Sequence, residues 1–212
     1  MRAISSLSSI SPSRSIRRLR RDELPRDTVA LARFLIGKTL VHEVDGDRLS
    51  GRIVETEAYL VGDAASHAFR GRTGRNGSMF LKRGHAYVYI SYGCWPMLNV
   101  SGGDEGTGTA VLLRALEPLE GLDTMQRLRT TERLPDLARG PGRLAGAMAI
   151  SLADDGADLC GPGPLWLGAA ARRCQPIVTS ERIGITKDAE RPLRFFEQGN
   201  PFVSGPRRLN SR

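Results

Sequence analysis

One stretch decides the fold of this chain: Gly51-Arg52-Ile53-Val54-Glu55-Thr56-Glu57-Ala58-Tyr59-Leu60. Its apolar, β-branched and aromatic residues are interspersed with charged ones, which is typical of a strand with two different faces. Simple alternation predicts a core-facing side made of Val54, Thr56, Ala58 and Leu60 and an opposite side made of Ile53, Glu55, Glu57 and Tyr59. Two acids and a tyrosine on one face are either half-solvated side chains or the lining of a groove.

Further strands are predicted on both sides of this stretch. Residues 38–44 precede it across a hairpin-like turn at 45–47, and residues 86–92 and 97–101 form a second hairpin with its bend near Gly93. Short strands are also predicted at 109–116, 182–186 and 193–196, and helices at 27–36, 119–129 and 142–150. The pattern predicts a single α+β domain with a mostly antiparallel core sheet, flanking helices and a protruding β-hairpin.

The composition excludes several classes of protein. The chain has 212 residues and 40% apolar content, which suffices for one core, and no run of about 20 apolar residues suggests a membrane span. Its three cysteines are odd in number and far apart, as expected in a reducing compartment, and neither they nor the three histidines show metal-ligand spacing. We therefore expect no disulfide framework, no metal and no cofactor.

The formal net charge of +8 is concentrated at the amino terminus. Residues 1–21 carry six arginines and no acidic residue, and we expect them to form a disordered arm that precedes a domain at 22–212. Such an arm could add non-specific affinity for DNA, act as an organelle transit peptide, or have no role. A second basic stretch, residues 66–84, also lacks acids and reads either as a phosphate-contacting loop or as a solvated one.

Two residues elsewhere point toward a site. Arg114 interrupts an otherwise apolar run from Ala110 to Leu116, and a guanidinium in such a strand is costly unless it is paired. We expect Glu57 to be its partner, the alternative being that Arg114 reaches water near the strand end. Tyr92 lies at the bend of the second hairpin, where a large aromatic can act as a wedge in a base stack rather than pack across strands.

Several motifs together resemble the alkyladenine (3-methyladenine) DNA glycosylase family over about residues 24–204. In chain order they are Gly51 to Leu60, Ala65-Ser66-His67, Met79-Phe80, Tyr87 to Gly93, Met97-Leu98-Asn99-Val100, Leu112 to Pro118, Pro192 to Phe195 and Gly199 to Ser204. The chain departs from the family pattern at Gly74, where proline is expected, and at Cys94, where methionine is expected. Cys94 follows the hairpin bend close to Tyr92, so the resemblance does not define which damaged bases the protein would accept.

The resemblance implies a catalytic group. Glu57 matches the general base that activates water, Arg114 the residue that positions that water, and the main-chain carbonyl of Ile183 a third water contact. No lysine occupies the matched pocket positions, so the resemblance implies a monofunctional glycosylase without a strand-cutting step.

The resemblance also implies a base-binding group. Tyr59 and Tyr89 match the aromatic walls around a flipped base, and His67 matches a wall residue whose backbone amide reads the base edge. Asn99 matches the residue that crowds the exocyclic amine of guanine, and Tyr92 matches the intercalating wedge.

The function implied is base excision repair. A monomer would flip alkylated purines of the 3-methyladenine type, and hypoxanthine, out of double-stranded DNA and hydrolyse the glycosidic bond, in association with the nucleoid in a bacterial cytoplasm. Two other hypotheses use the same residues: a lesion-binding protein without catalysis, and a carboxylate hydrolase of free nucleosides. Base release would exclude the first, and a requirement for duplex DNA would exclude the second.

Overall fold

An antiparallel sheet forms the centre of the structure, a computed structural model that describes residues 16–91, 93–170 and 172–210. In this part of the chain the strands are β1 (Thr39–Val44), β2 (Asp47–Tyr59), β3 (Ala86–Ser91), β4 (Trp95–Ser101), β5 (Ala110–Glu120), β6 (Leu165–Gly168), β7 (Ile177–Ser180) and β8 (Arg194–Glu197). Six of them lie in the order β3-β4-β5-β2-β1-β6, while β8 pairs with both β2 and β7. The predicted α+β class with an antiparallel sheet is confirmed.

Short helices flank the sheet: α1 (Thr28–Leu35), α2 (Leu122–Arg129), α3 (Leu134–Leu137), α4 (Pro141–Ala147) and α5 (Arg207–Asn210). Helix α1 begins as predicted, because the Asp27 carboxylate accepts a hydrogen bond from the Ala30 N–H at 2.7 Å. Helix α2 begins three residues later than predicted, since β5 continues to Glu120. Among the described helices, none combines the length and apolar character needed to cross a membrane.

A β-bulge in β2 changes the predicted faces. The pairing of β2 with β5 shifts register between Ile53 and Glu55. Ile53 and Ala58 both lie in the main core, whereas Val54 packs in a smaller cluster on the other side of the sheet. The predicted faces of Ile53 and Val54 are therefore wrong, because the extra residue of a bulge reverses the alternation.

Strand β2 has neighbours along both edges and holds the site. One edge pairs with β5, and the other pairs first with β1, over residues 47–52, and then with β8, over residues 55–57. Glu57 thus lies between Leu112 of β5 and Arg194 of β8, and it is fully buried. The fold places an acidic side chain inside a sheet with neighbours on both sides.

Two predicted segments differ in the structure. Residues 182–186 form a loop rather than a strand, because β7 has already ended at Ser180 and Gly184 turns with φ +80°. The predicted arm is wrong for residues 16–21, which are packed: the Leu19 N–H donates to the Leu167 carbonyl at 2.8 Å, and Leu19 is buried. The rest of that arm, residues 1–15, lies outside the described residues.

Candidate active site

Glu57 is the centre of the candidate site and is held from three directions. Its Oε1 accepts a hydrogen bond from the Ile183 N–H at 2.8 Å and lies 3.1 Å from Nη1 of Arg114. Its Oε2 accepts from the Tyr59 hydroxyl at 3.0 Å. These contacts fix the carboxylate although β2 carries it into the interior, and they join it to the Tyr59 side chain.

Arg114 pairs with Glu57 as predicted. Its Nε also donates to Oε1 of Glu55 at 2.9 Å, and its side chain is only 7% exposed. Burial alone would lower the pKa of Arg114, but the carboxylates of Glu57 and Glu55 outweigh burial and raise it. A permanent cation therefore lies between the two carboxylates of β2.

Glu55 has a structural role that the sequence reasoning missed. Its Oε1 also accepts from Nε of Arg194 at 2.7 Å, and its Oε2 accepts from the Ser204 N–H at 2.6 Å. Burial would raise the pKa of Glu55, but Arg114 and Arg194 outweigh it and lower the pKa. The sequence signal is the second acid on the predicted face of Glu57, for which the residue pattern indicates no cationic partner.

A cleft of about 600 Å³, including its opening to solvent, lies in front of Tyr59. The four residues predicted to bind a base all line it. The full lining is Tyr59, Ala65, His67, Met79, Tyr87, Tyr89, Ser91, Asn99, Ala110, Gly184 and Ile185. The structure therefore brings the predicted base-binding residues to one place.

Strand β3 supplies one aromatic side of the cleft. Tyr87 and Tyr89 stack with ring centroids 5.5 Å apart, and the His67 ring meets Tyr89 edge-on at 4.5 Å. The Nδ1 of His67 lies 2.8 Å from the Tyr87 hydroxyl. Burial of part of the ring, followed by the charge of Arg75, lowers the pKa of His67, so the imidazole is neutral at neutral pH.

Asn99 lies beneath this aromatic group. It pairs with Tyr87 across the hairpin, and its Nδ2 donates to the Tyr87 carbonyl at 3.1 Å. The side chain is almost fully buried, so its orientation is fixed by β3 and β4. Its predicted effect on guanine remains a prediction.

Two predicted contacts reach the site differently or fall outside it. Ile183 contacts Glu57 through its N–H, while the role expected for its carbonyl stays a prediction. Tyr92 lies outside the described residues; the adjoining turn residue Gly93 has φ +76°. The hairpin is joined to the basic loop by Arg75, whose Nη2 donates to the Ile90 carbonyl at 3.0 Å.

Exposed basic side chains lie in the loop that supplies His67 to the cleft. Arg70, Arg72 and Arg75 are all exposed in the loop that also carries His67. Positive charge on this side is suited to a polyanion, while the aromatic interior is suited to a flat heterocycle. A carboxylate that contacts a cleft-lining side chain, as Glu57 contacts Tyr59, can accept a proton from a water molecule.

Several known proteins are similar to this chain over most of its length. Residues 22–201 match the family model for methylpurine-DNA glycosylase. A protein of Mesorhizobium japonicum is 61% identical over 189 residues, which cover 89% of this chain and 91% of its own length. A protein of Paraburkholderia phytofirmans is 55% identical over 90% of both chains.

A third relative is similar over most of its length. A chain of Methanoculleus marisnigri is 49% identical over 183 residues, which cover 84% of this chain and 94% of its own length. All three relatives are named as candidate 3-methyladenine DNA glycosylases.

Proposed function

The chain belongs to the methylpurine-DNA glycosylase family, and on that premise we propose that it removes 3-methyladenine-type purines, and hypoxanthine, from duplex DNA. The observation that carries the proposal is the position of Glu57, which is fixed by Arg114 and Ile183 and hydrogen-bonded to Tyr59, a wall residue of the aromatic cleft. The reaction is base release by water, the first step of base excision repair.

The base enters the cleft by leaving the duplex. Unstacking a nucleotide costs a few kcal/mol, less for a damaged base, and stacking on aromatic side chains returns about 1–3 kcal/mol per base. Tyr59 and Tyr89 supply those surfaces, His67 lies at the wall and Asn99 lies beneath. Tyr92, at the hairpin bend, is proposed to fill the gap left in the stack.

Glu57 and water then complete the reaction. The water oxygen bonds to the sugar C1′ as the glycosidic bond breaks, the bonding electrons leave with the base, and Glu57 takes the proton of the water. Arg114 and the main chain at Ile183 position the carboxylate and the water. A cationic alkylated purine leaves as a neutral base, whereas hypoxanthine leaves as a neutral base only after it takes up a proton from the solvent.

The proposal has a direct test in base release from two duplexes, one with a single hypoxanthine and one methylated. Alkali reveals abasic sites, and omission of alkali shows whether the protein itself cuts the strand. We expect release by the unaltered protein without strand cutting, loss of release in Glu57→Gln, and full release in Glu132→Gln, a matched change at an exposed position.

The opposite results exclude the proposal. Lesion binding without release would favour the binding protein, and release from free nucleosides as fast as from duplex would favour the nucleoside hydrolase. Sedimentation at working concentration tests the proposed monomer, and co-purification with chromosomal DNA from bacterial cells tests the proposed location at the nucleoid.

A further inference from the structure

Arg182 lies against the back of a wall of the cleft. Its guanidinium carbon is 4.7 Å from the centroid of the Tyr59 ring. Tyr59 lines the cleft, whereas the Arg182 side chain is completely buried. The two groups therefore meet on the ring face that is turned away from the cleft.

Arg182 is held rigidly in that position. Asp63 binds both of its terminal nitrogens, one of them at 2.9 Å, and Asp63 is equally buried. The carbonyls of Ala58 and Asp188 accept further hydrogen bonds from the guanidinium at 3.1 and 3.2 Å. A guanidinium with this many fixed partners cannot swing away when the cleft is occupied.

A cation on one face of a ring alters what the other face attracts. The negative face of an aromatic ring attracts cations, and Arg182 already makes a cation–π contact with the buried face of the Tyr59 ring. A cationic base on the front face meets a weakened ring and the repulsion of Arg182, whereas a neutral base stacks mainly by dispersion. Asp63 offsets the charge of Arg182, so the two residues act with opposite sign.

We propose that Arg182, buried behind Tyr59 and paired with Asp63, sets how strongly the cleft prefers cationic purines over neutral ones. The proposal rests on the proposed function, since it concerns the bases that the cleft takes. Arg182 is a positioning and specificity residue rather than a catalytic one, because Tyr59 separates it from the cleft.

The test measures selectivity rather than activity alone. Single-turnover release gives the half-saturating enzyme concentration for a hypoxanthine duplex and for a methylated duplex carrying cationic 3-methyladenine. The half-saturating concentration for the hypoxanthine duplex divided by that for the methylated duplex measures the preference for the cationic base, and a larger ratio means a stronger preference. We expect Arg182→Gln to raise this ratio roughly two- to fivefold and Asp63→Asn to lower it by a similar factor.

Controls separate this effect from damage to the fold. Arg191→Gln makes the same change on the half-exposed Arg191 of the same segment, and it should leave the ratio unchanged. Either single variant leaves a buried charge unpaired, so it can fail to fold. The double variant Asp63→Asn/Arg182→Gln keeps an uncharged hydrogen-bonding pair, and the ratio should still rise because the cation nearest the ring is gone.

The outcomes decide between the two proposals. If the unaltered protein releases both bases but the ratio stays constant in the double variant and in every single variant that folds, the role of Arg182 is overturned and the function stands. If the unaltered protein releases neither base, both proposals fall. Equal losses on both substrates would make Arg182 a purely structural residue, because Ile183, which holds Glu57, is its neighbour in the chain.

Discussion

The Tyr59 hydroxyl donates a hydrogen bond to Oε2 of Glu57 across 3.0 Å, so a direct contact joins the wall of the cleft to the carboxylate. Burial, followed by the charge of Glu57, raises the pKa of Tyr59. The phenol therefore keeps its proton and remains a donor even in alkaline solution. A base that stacks on Tyr59 contacts the same side chain that orients Glu57.

Tyr59→Phe separates these two roles, because it keeps the ring and removes the hydroxyl. A hydrogen bond to a charged group contributes about 1.5–3 kcal/mol, so we expect hypoxanthine release to slow by about tenfold or more. The half-saturating concentration should change little, since stacking is retained. Single-turnover kinetics measures both quantities. A higher half-saturating concentration with an unchanged maximal rate would mean that the Tyr59 hydroxyl does not act through Glu57.

Glu55→Gln tests the buried network beneath Arg114. The amide offers one acceptor oxygen where Glu55 receives bonds from Arg114, Arg194 and the Ser204 N–H. Breaking a buried charge pair costs about 3–5 kcal/mol of unfolding free energy, which denaturant titration can measure. The exposed Glu190→Gln should stay within about 0.5 kcal/mol of the unaltered protein. Equal stabilities would mean that Glu55 carries no such network.

Acid should destabilise the fold through Glu197. Burial alone would raise the pKa of this carboxyl, but hydrogen bonds from Arg52, Gln175 and Asn200 outweigh burial and lower it to about 2. Because the pKa of Glu197 is lower in the folded state, this carboxylate stabilises the fold at any pH above its unfolded-state pKa, near 4.5. That contribution is lost as the pH falls toward 2. We expect a loss on the order of 2 kcal/mol from this group after allowance for solvent screening.

The measurement is the free energy of unfolding at pH 6 and at pH 3. The unaltered protein should lose more stability between these two values than Glu197→Gln, which has no proton to take up at this position. A variant with an equally steep decline would assign the acid sensitivity to other carboxyls.

Gly74 and Gly71 form a matched pair in the basic loop. A methyl group at either position would meet open space, but Gly71 has φ +91° whereas Gly74 lies outside the left-handed region. Gly74→Ala should raise the free energy of unfolding by about 0.4–1 kcal/mol, because it restricts the unfolded chain. Gly71→Ala should lower it by about 1–2 kcal/mol, because alanine is strained at that angle. Thermal unfolding of the two variants measures these changes. Stability changes of the same sign in both would show that the backbone angle does not decide the effect of alanine in this loop.

The sequence allowed the pairing of Arg114 with Glu57 to be predicted because a cation in an apolar strand requires a partner. The shared cleft of Tyr59, His67, Tyr89 and Asn99 followed from the family resemblance, and the geometry agrees with it. The first inference rests on the cost of burying an unpaired charge, and the second rests on the order and spacing of the family motifs.

Other features could not be predicted because they depend on tertiary context. The bulge in β2 leaves no mark in the residue pattern, yet it reverses the faces of Ile53 and Val54. The pairing of Arg182 with Asp63 joins positions 119 residues apart, and either residue alone reads as a solvated loop charge. The packing of residues 16–21 was hidden by an arginine content that is typical of a flexible arm.

Residues 17–19 run antiparallel along β6, with hydrogen bonds from the Leu19 N–H to the Leu167 carbonyl and from the Ala169 N–H to the Arg17 carbonyl. These residues lie outside the range matched by the family model, which begins at residue 22. A recombinant chain shortened to that range would leave this side of β6 with unpaired main-chain groups, the kind of strand margin on which a second molecule can add. We therefore expect the shortened protein to self-associate, and we expect this self-association to disappear when residues 16–21 are restored.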